Sequence, residues 1–261
     1  MQRQRNYYII TIQFLGFRYS GWQKQPGQKT VEAMLIKTLK YVLANRTFKI
    51  LGAGRTDAKV SALEAVFELY LDDDPLQDLP DFLHQFNKNL PPDIRALTIS
   101  AVDESFNIIQ NSKEKEYIYL FSFGEKSHPF CAPYLVTFLD DLNIELMIQA
   151  ASFFEGTHNF KSYTAKLQEN TRFIRTITSC VLKPNKIISA SFFPEKSYAL
   201  HIKGEGFMRY QIRMIMGVLV QVGKGELSLE EIVYSLSKES EMKLPFVAPG
   251  SGLVLNSVNF K

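Results

Sequence analysis

Cysteine is scarce in this sequence. The 261 residues include only two cysteines, Cys131 and Cys180. Two cysteines cannot form a disulfide framework, and they cannot supply a cysteine-rich zinc site. The sequence therefore predicts a protein of a reducing compartment, and the cytoplasm fits best.

Long apolar runs are also missing. No stretch approaches the roughly 20 apolar residues that a membrane-spanning helix needs, and no signal-peptide core follows the polar residues 1–5. We therefore expect no membrane segment and no export. Because 46% of the residues are hydrophobic, the chain can bury a sizeable core in one large domain or two smaller ones.

Sequence signals for metals and cofactors are absent as well. The four histidines, His84, His128, His158 and His201, lie far apart and show no spacing typical of zinc ligands. The sequence contains neither a phosphate-binding glycine loop with Lys-Ser/Thr nor a dinucleotide fingerprint. We therefore expect no metal and no cofactor.

The charge balance gives only a local signal. With 30 basic and 27 acidic residues the net charge is +3, which does not by itself indicate a nucleic-acid partner. Basic residues do concentrate in places: Lys113 and Lys115 precede Tyr117, and Arg209 and Arg213 share a predicted helix. Basic groups interleaved with aromatic rings suit phosphate contact and base stacking, although a solvated amphipathic surface gives a similar pattern.

The first half has the hydrophobic periodicity of a strand, a helix, two strands, a helix and a strand. The predicted segments are residues 7–14, 31–44, 48–53, 64–70, 79–89 and 96–102. Asp78 is placed to cap the second helix, and Pro80 is tolerated in its first turn. The last strand alternates as an edge or half-buried strand does. This β-α-β-β-α-β order is the split arrangement of ferredoxin-like units.

The second half begins in a similar way and then becomes rich in strands. We predict a strand at residues 115–123, a helix at 142–154, a meander of strands at 173–182, 187–193 and 198–203, and helices at 209–222 and 227–236. The predicted fold class is α+β. It has two ferredoxin-like or RRM-like halves, residues 1–105 and 106–261, forming a continuous antiparallel sheet with helices on one face.

A run of small residues at 52–58, with the sequence GAGRTDA, places Arg55 and Asp57 two residues apart. Its glycines let a ligand approach the main chain, and Thr56 can fix the turn through a local hydrogen bond. Arg55 and Asp57 are therefore candidates for reaching a ligand together. Taken alone, such a run usually marks a solvated loop.

This run resembles the loop that carries the nucleophilic aspartate in the TruA family of tRNA pseudouridine synthases. Other blocks resemble the family in the same order along almost the whole chain, which is more specific than any single motif. They are YSGWQKQ at 19–25, LPPDIR at 90–95, EYIY at 116–119, FEGTHNF at 154–160, RTI at 175–177, GFMRYQIRMIMG at 206–217, and Ala248-Pro249, Gly252-Leu253 and Leu255.

The resemblance implies the pseudouridine synthase fold and an isomerase that converts uridine to pseudouridine in the anticodon stem-loop of tRNA, at nucleotides 38 to 40. It implies that Asp57 is the nucleophile, that Arg55 helps fill the space left by an extruded base, and that Tyr117 stacks on the target uracil. Tyr119 is then the core member of that strand. The carboxylate could add to the base, add to the sugar, or deprotonate the sugar and pass through a glycal.

The resemblance also implies that a basic residue pairs with the aspartate and holds it ionised. Arg213 and Arg209 both suit that role, and the sequence does not separate them. Arg209, Lys24, Lys59 and Lys113 are further candidates for RNA contact. The implied partner is tRNA, bound across the two subunits of a homodimer.

Four positions depart from the family pattern. Lys59, Ser61 and Ala65 stand where the family usually has glycine, histidine and glutamine, and Ile109 stands where an arginine is expected. Because the aspartate, tyrosine and arginine are kept, the sequence favours an active enzyme. A pseudouridine synthase acting on a different RNA, and a divergent RNA-binding protein that has lost activity, are the alternatives.

Overall fold

The computed structural model describes residues 5–44, 46–72, 74–165 and 171–260. The chain forms two compact units, the first comprising Met1–Lys113 with Leu255–Lys261 and the second Glu114–Val254. The division into residues 1–105 and 106–261 stays a prediction. In the described residues, no helix combines the length and the apolar character needed to cross a membrane.

The first unit has the predicted β-α-β-β-α-β order. Its elements are β1 (Arg5–Phe14), α1 (Val31–Val42), β2 (Phe48–Gly52), β3 (Ser61–Asp72), α2 (Leu79–Asn89) and β4 (Ile94–Val102). The strand order is β4-β1-β3-β2 with antiparallel neighbours, so β4 is an edge strand as its alternation predicted. A further strand that the sequence analysis missed, β10 (Leu253–Phe260), also pairs with β3.

Local sequence explains these elements. Alternate residues of β1 are buried, from Tyr8 to Phe14, which is the period of a strand with one face on the core. Asp78 caps α2 as predicted, because its carboxylate accepts a hydrogen bond of 2.8 Å from the Asp81 N–H. Helix α1 stops two residues earlier than predicted, and Ala44 beyond its end has a left-handed φ of 51°.

The second unit is also a mixture of strands and helices. Its elements are β5 (Ser112–Phe123), β6 (Val136–Phe138), α3 (Ile144–Ser152), β7 (Gly156–Asn159), β8 (Ile174–Pro184), β9 (Tyr198–Gly204), α4 (Gln211–Gly223) and α5 (Leu229–Ser235). Strands β5, β9, β8 and β7 are antiparallel neighbours in that order, and the short β6 is parallel to β5. Sequence periodicity missed β6 and β7. The predicted α+β class with a mostly antiparallel sheet is confirmed.

The predicted strand at residues 187–193 is wrong, and the three-stranded meander is a pair, β8 and β9. The segment between them forms bends and turns. The Asn185 side chain accepts a hydrogen bond from the Ile187 N–H at 2.9 Å and donates one to the Ile188 carbonyl at 2.8 Å. These local bonds satisfy backbone groups that a strand would need for its ladder.

The predicted helix at residues 209–222 begins two residues later than expected, at Gln211. Tyr210 precedes it with a φ of 66°, a left-handed conformation that cannot continue a helix. Arg209 is therefore not on α4, whereas Arg213 is. Eleven of the thirteen residues of α4 are buried, so this helix forms the centre of the second unit.

Candidate active site

The Gly-Ala-Gly-Arg-Thr-Asp-Ala run forms the connection between β2 and β3. Strand pairing extends just past β2, because the Ala53 N–H donates to the Val66 carbonyl at 2.9 Å. Beyond it, Arg55 is exposed and Asp57 is half-buried. We refer to residues 52–60 as the aspartate loop.

A second segment of the same unit supports the aspartate loop through backbone contacts. The Trp22 N–H donates to the Thr56 carbonyl at 3.0 Å, and the Lys59 N–H donates to the Tyr19 carbonyl at 3.0 Å. Gly21 adopts a φ of 97°, and a Cβ atom there would lie 2.7 Å from the Thr56 oxygen. Residues 16–22, which we call the support turn, therefore require glycine at position 21 both for its conformation and for the close approach.

Lys59 occupies a position that favours glycine. Its φ of 66° is left-handed. Its side chain is exposed, and its ammonium nitrogen lies 5.5 Å from the centre of the Phe17 ring. The departure at this position thus keeps the backbone conformation that glycine adopts easily and adds a cation over an aromatic ring.

The other departures also have definite surroundings. The Ser61 hydroxyl accepts a hydrogen bond of 2.9 Å from the Gly16 N–H, which joins the start of β3 to the support turn. Ala65 is buried in β3, and Ile109 is 54% exposed. Ser61 and Ala65 are therefore buried in the first unit, whereas Ile109 presents an apolar side chain to solvent.

Asp93 anchors the support turn, a function that the sequence analysis did not assign to it. The Tyr19 hydroxyl donates to one carboxylate oxygen of Asp93 at 2.7 Å, and Arg18 donates to the other from Nε at 2.9 Å and from a terminal nitrogen at 2.7 Å. Burial raises the pKa of Asp93, but the hydrogen bonds from Tyr19 and Arg18 outweigh it and hold the pKa below its usual value. Burial and the bond to Asp93 raise the pKa of Tyr19.

The remaining proposed RNA contacts of the first unit are exposed lysines. Lys24 follows the support turn, and its backbone N–H donates to the Glu32 carboxylate at 2.6 Å. The Lys113 ammonium group donates to the Gln110 carbonyl at 3.4 Å. Both ammonium groups can therefore contact a phosphate without a rearrangement that exposes them.

Tyr117 and Tyr119 lie on the same face of β5, in the second unit. Tyr117 is 9% exposed, and its ring meets the Phe207 ring edge-on with centroids 5.5 Å apart. Tyr119 is fully buried, and its hydroxyl donates to the Pro249 carbonyl at 2.7 Å. Burial raises the pKa of Tyr119. The packing supports the assignment of Tyr119 to the core.

Arg209 and Arg213 share one aromatic ring, that of Tyr210. The guanidinium carbons lie 4.9 Å and 4.8 Å from its centroid. Arg213 is half-buried, and its Nε donates to the Ala248 carbonyl at 2.7 Å. Arg209 is exposed and donates to the Tyr210 hydroxyl at 3.2 Å. The two arginines thus differ in burial and in hydrogen-bond partner, although they share one ring.

The structure brings the proposed site residues together in two groups. Arg55, Asp57 and Lys59 share the aspartate loop of the first unit. Arg209 and Arg213 share the Tyr210 ring in the second unit, where Tyr117 also lies. The resemblance covered the blocks around Asp93 and Tyr210, but no property of these two residues in the sequence singled them out.

The described residues contain no group of three or more His, Cys, Asp and Glu side chains that could hold a metal ion. The proposed site residues supply carboxylate, guanidinium and aromatic groups. A carboxylate next to small residues can act on a bound ligand, guanidinium groups can pair with carboxylate or phosphate, and aromatic faces can stack on a base.

Parts of this chain, or nearly all of it, match known proteins in sequence. Residues 150–261 match the family model described as tRNA pseudouridine synthase. A protein of Bacillus sp. (strain KSM-64) named tRNA pseudouridine synthase A is 30% identical over 257 residues, which cover 98% of this chain and 100% of the relative. Proteins of the same name from Thermodesulfovibrio yellowstonii (30% over 260 residues, 95% and 97% covered) and Thermoanaerobacter sp. (31% over 248 residues, 95% and 96% covered) are also similar.

Proposed function

We propose that this chain, which belongs to the tRNA pseudouridine synthase A family, isomerises uridine to pseudouridine at nucleotides 38 to 40 of the tRNA anticodon stem-loop. The similarity to enzymes of that name over nearly the entire chain carries the proposal. The aspartate loop also supports the proposal. It presents a half-buried carboxylate between small residues, and backbone hydrogen bonds join it to the support turn.

The reaction rearranges one bond and consumes nothing. The bond between ribose C1′ and uracil N1 breaks, the ring turns, and a bond forms between C1′ and C5, while C5 loses a proton and N1 gains one. Asp57 is the proposed nucleophile. Its carboxylate can add to the uracil ring, add to the ribose, or remove a ribose proton to give a glycal, and each route needs the carboxylate to be ionised.

The target nucleotide must leave the helical stack before it reacts. Extrusion costs a few kcal/mol, and stacking of a base on an aromatic ring contributes about 1–3 kcal/mol. In the proposed function Tyr117 receives the base, and the exposed Arg55 helps fill the space that the base leaves. Since the two energies are of similar size, binding energy can support the extrusion.

Arg213 is the better candidate for the basic residue that keeps the nucleophile ionised. It is half-buried and held by Ala248 and Tyr210, so its guanidinium is already ordered before substrate binds. Arg209 is exposed, which suits a contact with RNA phosphate. Lys24, Lys59 and Lys113 are proposed as further phosphate contacts.

Two further features follow from the family and from its substrate. Members bind tRNA across two subunits, so we propose that this chain acts as a homodimer. A tRNA substrate also places the proposed reaction in the cytoplasm.

The test is to incubate the wild-type protein and Asp57→Asn with unmodified total tRNA and to map pseudouridine at nucleotide resolution. Asn keeps the shape of the side chain and removes its charge, so we expect no product and tRNA binding within about tenfold of wild type. Asp141→Asn, a change at an exposed aspartate of the second unit, is the matched control and should retain full activity.

Each outcome has a definite meaning. Product in the anticodon arm that requires Asp57 supports the proposal, whereas turnover by Asp57→Asn refutes the assigned nucleophile. Product at other nucleotides or in another RNA would mean the same chemistry with a changed substrate. No product from wild type, despite tight and salt-sensitive binding, would identify a divergent RNA-binding protein.

A further inference from the structure

A groove in the first unit lies between the end of α1 and strand β2, outside the aspartate loop. Its volume is about 720 Å³, and its principal lining residues are Ile36, Lys40, Arg46, Phe48, Lys49 and Ile50. Three of these six side chains are cationic and three are apolar. None of the described residues that line it carries a carboxylate, so the lining has one sign of charge.

The local sequence reinforces this charge. Residues 33–56 contain five basic residues and no acidic residue, in a chain whose overall charges are nearly balanced. Lys40 and Lys49 are exposed. Arg46 is half-buried, and one of its terminal nitrogens is buried without a hydrogen-bond partner among the described residues. An unpaired guanidinium nitrogen is costly, and the described lining of the groove offers Arg46 no carboxylate, so this side chain suits an anionic ligand.

The apolar part of the groove suits a polymer with bases as well as phosphates. Ile36, Phe48 and Ile50 are half-buried and supply its apolar lining. Tyr41, next to Lys40 on α1, leaves 75% of its surface exposed. Basic residues beside exposed aromatic rings are typical of surfaces that contact a nucleic-acid backbone and stack on its bases.

Strand β2 links the groove to the aspartate loop. Lys49 lies on β2, three residues before Gly52, where the loop begins. At about 3.3 Å per strand residue, the separation is roughly 10 Å. In a helical strand with a rise of about 3.4 Å per nucleotide, this distance corresponds to about three nucleotides.

We propose that this groove binds the phosphodiester backbone of the RNA substrate a few nucleotides from the uridine that enters the aspartate loop. The ligand is thus a run of two or three phosphates, contacted by Lys40, Arg46 and Lys49. The inference rests on the proposed function for the identity of the RNA. The groove contributes affinity and register, and it takes no part in the chemical step.

The test compares wild type with the triple variant Lys40→Gln/Arg46→Gln/Lys49→Gln. The matched control, Lys183→Gln/Lys186→Gln/Lys196→Gln, removes the same charge from exposed lysines of the second unit. Binding of unmodified tRNA is measured between about 50 and 200 mM salt, and kcat and KM for pseudouridine formation are measured on the same samples. Each lost phosphate contact should reduce the slope of log affinity against log salt by about 0.7–0.9.

We expect the groove variant to reduce the salt slope by about 2–3 and to weaken tRNA binding at least tenfold, because three phosphate contacts are lost. KM should rise, while kcat at saturating tRNA should stay within about twofold of wild type. The control should change the slope by less than about one. An unchanged slope in the groove variant, or an equal change in the control, would overturn the proposal.

Arg46 is partly buried, so its replacement can disturb folding as well as binding. The double variant Lys40→Gln/Lys49→Gln changes only exposed residues and should reduce the slope by about 1.4–1.8. If the double variant has both the melting temperature and the salt slope of wild type, that result alone would refute RNA binding in the groove.

The two proposals fail in different ways. If wild type forms pseudouridine and the salt slopes of wild type and the groove variant coincide, the groove proposal is refuted and the proposed function stands. If wild type forms none but the groove variant alone loses salt-sensitive tRNA binding, the proposed function fails and the binding site stands.

Discussion

The two units hold their proposed site residues by different kinds of contact. In the first unit, main-chain hydrogen bonds from Trp22 and Lys59 and the close approach of Gly21 fix the loop around Asp57. In the second unit, side-chain contacts hold Arg213, which stacks on Tyr210 and donates to Ala248. A backbone-built site tolerates side-chain changes beside it, whereas a site held by side chains depends on their identity.

All four of the departures from the family pattern lie in the first unit. Three of the four departures, Lys59, Ser61 and Ala65, lie in or next to the aspartate loop. The backbone hydrogen bonds between the aspartate loop and the support turn form with these residues present, and the Ser61 hydroxyl adds a side-chain contact by accepting from the Gly16 N–H. The loop can therefore lose family side chains and still present Asp57 on the same main chain.

Among changes outside the proposed nucleophile, the largest expected effect comes from breaking the backbone support with Gly21→Ala. Its Cβ would lie 2.7 Å from the Thr56 oxygen, so the aspartate loop or the support turn must move. A displacement of about 1 Å in a site can cost roughly 100-fold in rate, and we expect a loss of kcat of about that size. Single-turnover pseudouridine formation on unmodified tRNA measures it.

Gly27→Ala is the control for that change. Gly27 also has a positive φ, 69°, but no described atom lies within 4 Å of the position that a methyl group would occupy there. It should lose about 1–2 kcal/mol of unfolding free energy with little change in kcat. Equal kcat values for the two variants would mean that backbone strain, and not contact with the loop, governs activity.

The next effect tests the side-chain arrangement of the second unit. Arg213→Lys keeps the charge but has no guanidinium that can lie over the Tyr210 ring while Nε donates to Ala248, so we expect kcat to fall about 10- to 100-fold. Arg209→Lys, at an exposed position, should change kcat less than about threefold. Steady-state kinetics measures kcat for both variants. A larger loss of kcat in Arg209→Lys than in Arg213→Lys would assign the pairing with Asp57 to Arg209.

A moderate effect is expected from weakening the anchor of the support turn with Asp93→Asn. Charged hydrogen bonds from Tyr19 and Arg18 are lost, and the free energy of unfolding at pH 7 should fall by about 1–3 kcal/mol. Tyr19→Phe, which removes one of these bonds, should cost about 1 kcal/mol. Chemical unfolding at pH 7 measures both changes.

The same network predicts a pH dependence. The pKa of Asp93 in the folded protein is below its ordinary value of 3.8. The folded state therefore binds fewer protons at this group than the unfolded state, and the stabilisation is complete above the ordinary pKa and lost as pH falls through the lowered one. The difference between the unfolding free energies of wild type and Asp93→Asn should begin to narrow as pH falls below the ordinary pKa of 3.8 and should be smallest below the lowered pKa. A constant difference at all pH values would contradict the ionic origin.

The smallest effect should come from Lys59→Gly. Glycine relieves the left-handed conformation, worth about 1–2 kcal/mol, but it loses the contact with Phe17 and adds freedom to the unfolded chain. We expect the free energy of unfolding to change by less than about 1 kcal/mol, which thermal melts would show. We expect kcat to change by less than about twofold, which steady-state kinetics would show. A tenfold loss of kcat would show that the lysine side chain itself takes part in the reaction.

Much of the fold could be predicted where local signals were strong. The β-α-β-β-α-β order, the Asp78 cap and a strand at 96–102 are confirmed, because periodicity and capping act over a few residues. Of the two alternatives for that strand, edge or half-buried, the structure shows an edge strand. The missed strands are short or lie at the end of the chain, so their periodicity is weak. The wrong strand at 187–193 failed because the Asn185 side chain satisfies the backbone there.

The candidate site divides in the same way. The ordered motifs identified the family, which the full-length relatives confirm, and they nominated Asp57, Tyr117 and Arg213. The assigned roles of those residues stay predictions. Nothing in the sequence indicated that Asp93 anchors Tyr19, or that Tyr210 leaves the helix and places Arg209 outside it, since both depend on contacts between segments distant in sequence or on one unusual backbone angle.

The sequence by itself determined the α+β class and the family, because both are encoded in local periodicity and in residue types at fixed spacing. Only the tertiary structure decided how the aspartate loop is supported, how Arg209 and Arg213 differ, and where Lys40, Arg46 and Lys49 form one groove. The physical reason is that burial, hydrogen-bond partners and the sum of nearby charges are properties of segments brought together by folding, and each segment alone carries only its own part of them.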